Sequence, residues 1–226
     1  MQLITACVAF VVLTRIPETY RPHPHAKKRD WFPVSLIKPG LAVGFVNVHY
    51  PVITGFLILH LAAHGDSGKL AFSAYAGLIL VSRFFLGGLP DRIHPRITYL
   101  GGITLMGAGL LILASGPSPA LAIGGAAVLG FGFSFPWSSI ASKVLKQTPT
   151  QEHGTAVGVL SAFYDLFVGV SSFAAGTVAT HFGYSAAFYM AAASLVVAGV
   201  MGAIVFRPGV DVSVVTPDEY AEALEP

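Results

Sequence analysis

The stretch from Ser185 to Phe206 reads SAAFYMAAASLVVAGVMGAIVF, twenty-two residues without a single charge. A helix of that length rises about 33 Å at about 1.5 Å per residue, enough to cross about 30 Å of hydrocarbon. A helix also satisfies its own backbone hydrogen bonds, which lipid cannot do for it. The same texture recurs upstream, at Val34–Ala63, Leu70–Gly88, Ile97–Ser115, Pro119–Leu145 and Gly154–His181. These readings predict an all-α, polytopic membrane helix bundle of six full transmembrane helices over residues 34–206.

Composition agrees. Apolar residues make up 54% and charged residues 11%, whereas a soluble domain carries roughly a quarter of its residues charged. A lone Cys7 excludes an intrachain disulfide and a cysteine metal cluster. Met1–Leu13 is apolar but too short to span. It has no basic leader and no small-residue cleavage site before Arg15, so it does not read as a signal peptide. Residues 1–16 are therefore expected to be the truncated end of a preceding transmembrane helix. Residues 17–33, with the basic cluster from Arg15 to Arg29, are expected to be a cytoplasmic linker. Residues 207–226, closed by Asp218, Glu219, Glu222 and Glu225, are expected to be a flexible acidic cytoplasmic tail.

Lys and Arg residues outside the spans or at their ends fall on one side, from Arg15 through Lys38, Arg92, Arg96, Lys143 and Lys146 to Arg207, and only Lys69 falls on the other. That asymmetry places the basic side in the cytoplasm and supports the span count. Met1 would then begin in mid-membrane, which predicts that earlier helices are missing.

The spans divide three plus three, and the first of each trio carries an aromatic-Pro break. One reads Gly44-Phe45-Val46-Asn47-Val48-His49-Tyr50-Pro51, the other Gly130-Phe131-Gly132-Phe133-Ser134-Phe135-Pro136-Trp137. Proline removes a donor and frees a carbonyl one turn back. An odd number of spans reverses chain direction, so the trios form two inverted repeats, an architecture in which binding sites gather at interrupted helices.

Asp165 is the only acid within a span and Arg83 the only base well within one. Such charges are costly and usually functional. Asp165 lies about 16 Å deep at about 1.5 Å per residue. It reads either as a proton-exchanging carboxylate or as the partner of Arg83 in a structural pair. Arg83, about one turn from its span end, is expected to snorkel outward. Gly158, Ser161, Asp165, Gly169, Ser172 and Gly176 form one stripe, read as a helix-contact seam.

Between the second and third spans lies Gly87-Gly88-Leu89-Pro90-Asp91-Arg92-Ile93-His94-Pro95-Arg96. Gly87, Leu89, Asp91, Arg92 and Arg96 resemble the signature cytoplasmic loop of the major facilitator superfamily, while His94 and Pro95 depart from it. Phe135-Pro136, Gly154-Thr155-Ala156-Val157-Gly158 and Ala162-Phe163-Tyr164-Asp165-Leu166 extend the resemblance to its arabinose-efflux-permease-like branch, over most of Val34–Phe206. The resemblance implies the C-terminal half of a twelve-span exporter in the bacterial cytoplasmic (inner) membrane. Its partners would be a small-molecule substrate, protons, the lipid bilayer and a missing N-terminal six-helix half. It implies a substrate cavity lined by the first span of each trio, with Asn47, Tyr50, Phe135 and Ser138 as candidates. His49 reads as relay or packing residue, Trp137 as lining or lipid contact. The loop reads as a conformational latch in which Arg92 and Arg96 reach carboxylates or carbonyls on neighbouring helix ends.

Two other classes share some of these features. Six spans and Gly132-Phe133-Ser134-Phe135 are similar to rhomboid-type intramembrane serine proteases, but the final glycine of their motif is missing and His181 sits near a span end. A non-transporting scaffold or accessory subunit is the other. No cofactor or nucleic-acid motif is present, and His23 and His25 lack the further ligands a metal would need.

Overall fold

A computed structural model describes residues 33–86, 93–116 and 118–214. It is built of helices, and six are long and apolar enough to cross a membrane: Val34–Ala62, Lys69–Leu86, Pro95–Ala114, Pro119–Gln147, Thr150–Phe182 and Tyr184–Val205. The first span consists of a short 3-10 turn, then α1 (Ile37–Asn47) and α2 (His49–Ala62). The others are α3 (Lys69–Leu86), α4 (Pro95–Ala114), α5 (Pro119–Gln147), α6 (His153–Phe182) and α7 (Tyr184–Val205). The leading fragment, the linker, the acidic residues from Asp218 on and the loop residues Gly87, Leu89, Asp91 and Arg92 lie outside the described residues.

The two trios pack as a two-fold repeat. In one direction α3 and α4 pack on α5; in the other α6 and α7 pack on α1; α4 and α7 pack on each other. Exchanging the trios maps each of these contacts onto its counterpart.

The prolines act differently in the two trios. Before Pro51 the helix is interrupted at Val48, which keeps helical angles (φ −55°, ψ −29°), so the first span stays one rod with a gap in its hydrogen-bond ladder. Pro136 does not interrupt α5 at all. The carbonyl Pro136 releases belongs to Gly132, and it sits where a Cβ on Gly102 of α4 would lie 2.9 Å from it. The freed group is thus enclosed by a neighbouring helix, where irregular backbone is tolerated.

Small residues bring α4 and α5 close. A Cβ at Gly109 would lie 2.6 Å from the Gly125 carbonyl, and one at Gly132 2.6 Å from the Gly102 carbonyl. Tyr99, fully buried, lays its ring on Gly202 of α7. Its hydroxyl donates toward the Ala198 carbonyl at 2.9 Å and the Ala42 carbonyl at 3.2 Å, joining α4 to α7 and α1. His60 Nε2 donates to the Leu113 carbonyl at 2.8 Å and joins the ends of α2 and α4.

His94 and Pro95, which depart from the loop pattern, start α4. Pro95 occupies the first helical turn, where its missing N–H costs nothing, and His94 Nδ1 accepts from Arg96 N at 3.2 Å. The segment after α7 is not a free tail from Arg207 onward. Val212 is fully buried and its N–H donates to Gln147 Oε1 at 3.1 Å. Val214 N donates to Thr148 Oγ1 at 3.4 Å, and Ser35 Oγ donates to the Ser213 carbonyl. The chain up to Val214 is a strap across the ends of the first and fourth spans, held because Val212 has an apolar seat.

Candidate functional site

The first and second spans converge on the ring of Phe133 in α5. His49 meets it edge-on at 4.7 Å, Tyr75 stacks on it at 6.5 Å and Tyr50 lies 6.5 Å away. The Arg83 guanidinium carbon stands 5.9 Å from the same ring centre, within cation–π range. Trp137, one turn along α5, meets Tyr164 of α6 at 6.2 Å with perpendicular rings. Through Trp137, the half-buried Tyr164 ring of α6 borders the same face of α5.

Behind the rings, His49 is fully buried. Its Nδ1 is 2.7 Å from the Val46 carbonyl, which can only accept, so Nδ1 carries the proton. Nε2 then accepts from the Tyr75 hydroxyl at 3.3 Å. The pair is a positioned strut that holds α2 against α3. Asn47 is 2% exposed; its Nδ2 donates to the Val43 carbonyl at 2.7 Å, while Oδ1 is buried without a hydrogen-bond partner among the described residues.

The cavity candidates therefore separate. Tyr50, Trp137 and Ser138 are half-buried. Asn47, His49 and Phe135 are buried within this chain; Phe135 packs on Phe131 at 5.2 Å, and its carbonyl accepts from Ser138 Oγ at 3.0 Å. Ser134 Oγ points to the carbonyls of Ile79 and Gly130, at 3.5 Å each, and bonds to no histidine among the described residues.

Arg83 and Asp165 are both exposed and form no ion pair with each other among the described residues. The structural pair, one of the two readings of these charges, is not formed among the described residues because α3 and α6 make no packed interface. Nor does Arg83 snorkel outward. Gly130 packs on the Tyr75 carbonyl and Ser134 bonds to the Ile79 carbonyl, which sets Arg83 level with Ser138 along the parallel α3 and α5. Phe133 lies five residues nearer the middle of α5, about 7.5 Å along the axis. The guanidinium thus runs inward because helical side chains tilt toward their own N-terminus, and the N-terminus of α3 is at the opposite face. That direction was present in the sequence as the position of Arg83 near a helix C-terminus.

The stripe of small residues on α6 is not a seam inside this chain. A Cβ added at Gly158, Gly169 or Gly176 would meet nothing within 4 Å. The spans of α3 and α6 are the least enclosed, 17% buried each against 61% for the first span. Phe133 as hub, Tyr75 and Tyr164 were not singled out from sequence as site residues. Their signal was a hydroxyl-bearing aromatic inside an apolar span, level with a charge.

Comparison with known proteins agrees with this architecture. The family model described as Major Facilitator Superfamily matches residues 40–223. An uncharacterized MFS-type transporter of Salmonella typhimurium is 30% identical over 157 residues, which are 69% of this chain and 40% of that protein. One from Pseudomonas aeruginosa is 30% identical over 67% of this chain and 38% of its own length. A Burkholderia mallei relative is 25% identical over 82% of this chain and 46% of its own. This chain thus spans less than half the length of these relatives. Among solved structures, the peptide transporter POT shares the fold, with a TM-score of 0.68 at 20% identity, covering 86% of this chain and 44% of that one.

Proposed function

The chain belongs to the Major Facilitator Superfamily, and from that premise we propose that it forms the C-terminal half of a proton-coupled exporter of a small molecule. Transport by alternating access would come from this bundle rocking against a second, N-terminal six-helix half, which is the shape the relatives' length suggests. The open faces of α3 and α6 are where that half would sit. The bundle would lie in the bacterial inner membrane with its basic side, linker and tail in the cytoplasm. Asp91, Arg92 and Arg96 would latch one conformation.

The observation that carries this reading is that Arg83, placed over the Phe133 ring, and Asp165, exposed on α6, form no ion pair with each other among the described residues. Isolated charges inside a membrane are retained where they meet a substrate, a proton or a wet cavity. Asp165, exposed rather than neutralised by Arg83, is the group we assign to the proton.

The test is made with the complete reading frame in everted membrane vesicles carrying an imposed pH gradient. Adding an exported solute should dissipate the gradient, read by acridine orange dequenching. Asp165→Asn should abolish the signal while membrane insertion stays normal. Dequenching by the Asn variant equal to that of the parent would sink the proton role.

A further inference from the structure

We propose that His60 and His64, at the end of the first span away from Lys38, form a two-histidine site for a divalent transition-metal ion of the Zn²⁺ or Cu²⁺ kind. They stand four residues apart, the spacing that brings two side chains to one face of a helix. Their ring centres are 4.7 Å apart, with planes at 62°. Two imidazoles that share one ion through nitrogens about 2.0–2.1 Å from it have ring centres about 5 Å apart. The observed separation matches that of rings around a common ion.

Hydrogen bonds decide which nitrogen of each ring is bare. His60 Nε2 is 2.8 Å from the Leu113 carbonyl, and His64 Nδ1 is 2.8 Å from the His60 carbonyl. A carbonyl only accepts, so these two nitrogens carry the protons. His60 Nδ1 and His64 Nε2 keep their lone pairs, and neither makes a hydrogen bond among the described residues. Ligating histidines are held in this way: the second nitrogen donates to a carbonyl, which sets the tautomer and the orientation of the ring. His60 is buried, where a nitrogen without a partner is costly and a bound ion would offset the cost. His64 is exposed and gives an ion its way in. Its ring is still seated, because a Cβ on Gly116, just past α4, would lie 2.6 Å from Nε2. Gly116 has φ +65°, a conformation that favours glycine, and so leaves the ring its place. No third His, Cys, Asp or Glu completes a metal-holding group among the described residues. Water therefore fills the remaining positions and the ion stays exchangeable. Imidazole suits Zn²⁺ and Cu²⁺, with Cu²⁺ the tighter of the two. Since His60 also holds Leu113 and His64 rests on Gly116, the ion would tie the ends of α2 and α4 together.

The experiment titrates Zn²⁺ alone into the full chain in detergent, read by calorimetry. His23→Gln and His25→Gln are present throughout to remove the other closely spaced histidines. One ion per chain should bind, and His64→Gln should weaken it by about tenfold or more, at least what loss of a supporting partner costs. His64→Asp, which puts back a ligand, should recover part of the affinity. Because His64 is exposed, both variants should keep the parent's melting curve in chelator, which separates loss of a ligand from loss of fold. Electron paramagnetic resonance of the chain loaded with Cu²⁺ alone should show two nitrogen ligands, and one in His64→Gln. No binding by the folded chain, or Zn²⁺ affinity unchanged in His64→Gln, would overturn the proposal. A Cu²⁺ spectrum of the parent with fewer than two nitrogens would overturn it as well.

Discussion

The α4–α5 pair and the outer face of α6 are written in the same residues and have opposite fates. Both carry glycines at helical spacing along an apolar span. In α4 and α5, Gly102, Gly109, Gly125 and Gly132 each lie against a neighbour so closely that a Cβ would fall within 3 Å of another atom. On α6, a Cβ at Gly158, Gly169 or Gly176 would meet nothing. A small-residue stripe marks a surface that allows close helix approach. It carries no information on whether the approaching helix belongs to the same bundle.

Substitutions at equivalent small residues test that contrast directly. The largest effect is expected for Gly109→Val. Its Cβ would press on the Gly125 carbonyl and on the Leu129 backbone, at 2.6 and 2.8 Å, and a helix backbone cannot rotate aside as a side chain can. Overpacking of this kind costs about 3 kcal/mol or more, so the variant should lose its monodisperse peak in detergent or melt far below the parent. A parent-like melting curve would mean that the α4–α5 contact is loose. Tyr99→Phe should cost less, about 1 kcal/mol, because it removes one hydroxyl shared between two helical carbonyls and keeps the ring on Gly202. Thermal melting in the same detergent measures it, and a loss as large as that of Gly109→Val would show that the hydroxyl, rather than close packing, holds α4, α1 and α7 together. The smallest effect is expected for Gly169→Val, within about 0.5 kcal/mol for this chain alone, as for an open surface position. If the α6 face receives a second bundle, the same change should impair flux by the complete transporter. A stability loss in the isolated chain would show that α6 already has a partner there.

The same contrast runs through the charged residues. Their existence inside the spans was legible, because an acid and a base stand out in an apolar sequence. Their relation was not. Arg83 and Asp165 occupy the second spans of the two trios, and only the packing order shows that those spans form no packed interface. The structural pair is not formed for that reason, whereas the inward course of Arg83 follows from its place near the C-terminus of α3. The loop departure at His94 and Pro95 has a local explanation in helix capping. The buried amide of Asn47 was read as polar lining, but which atom stays unpaired depends on the Val43 carbonyl one turn earlier. Ordering of the segment to Val214 was also invisible in sequence, since Val212 becomes an anchor only where the spans leave it a seat.

By itself the sequence determined the six spans, their alternation and the presence of two charges within them. Those follow from length and transfer free energy, which are properties of contiguous residues in a slab of fixed thickness. The tertiary structure alone decided which glycines are enclosed, which ring is the hub and which way Arg83 faces. These depend on residues far apart in the chain, such as Phe133 with Arg83 or Gly109 with Gly125, whose approach is set by how helices pack and not by how apolar each one is.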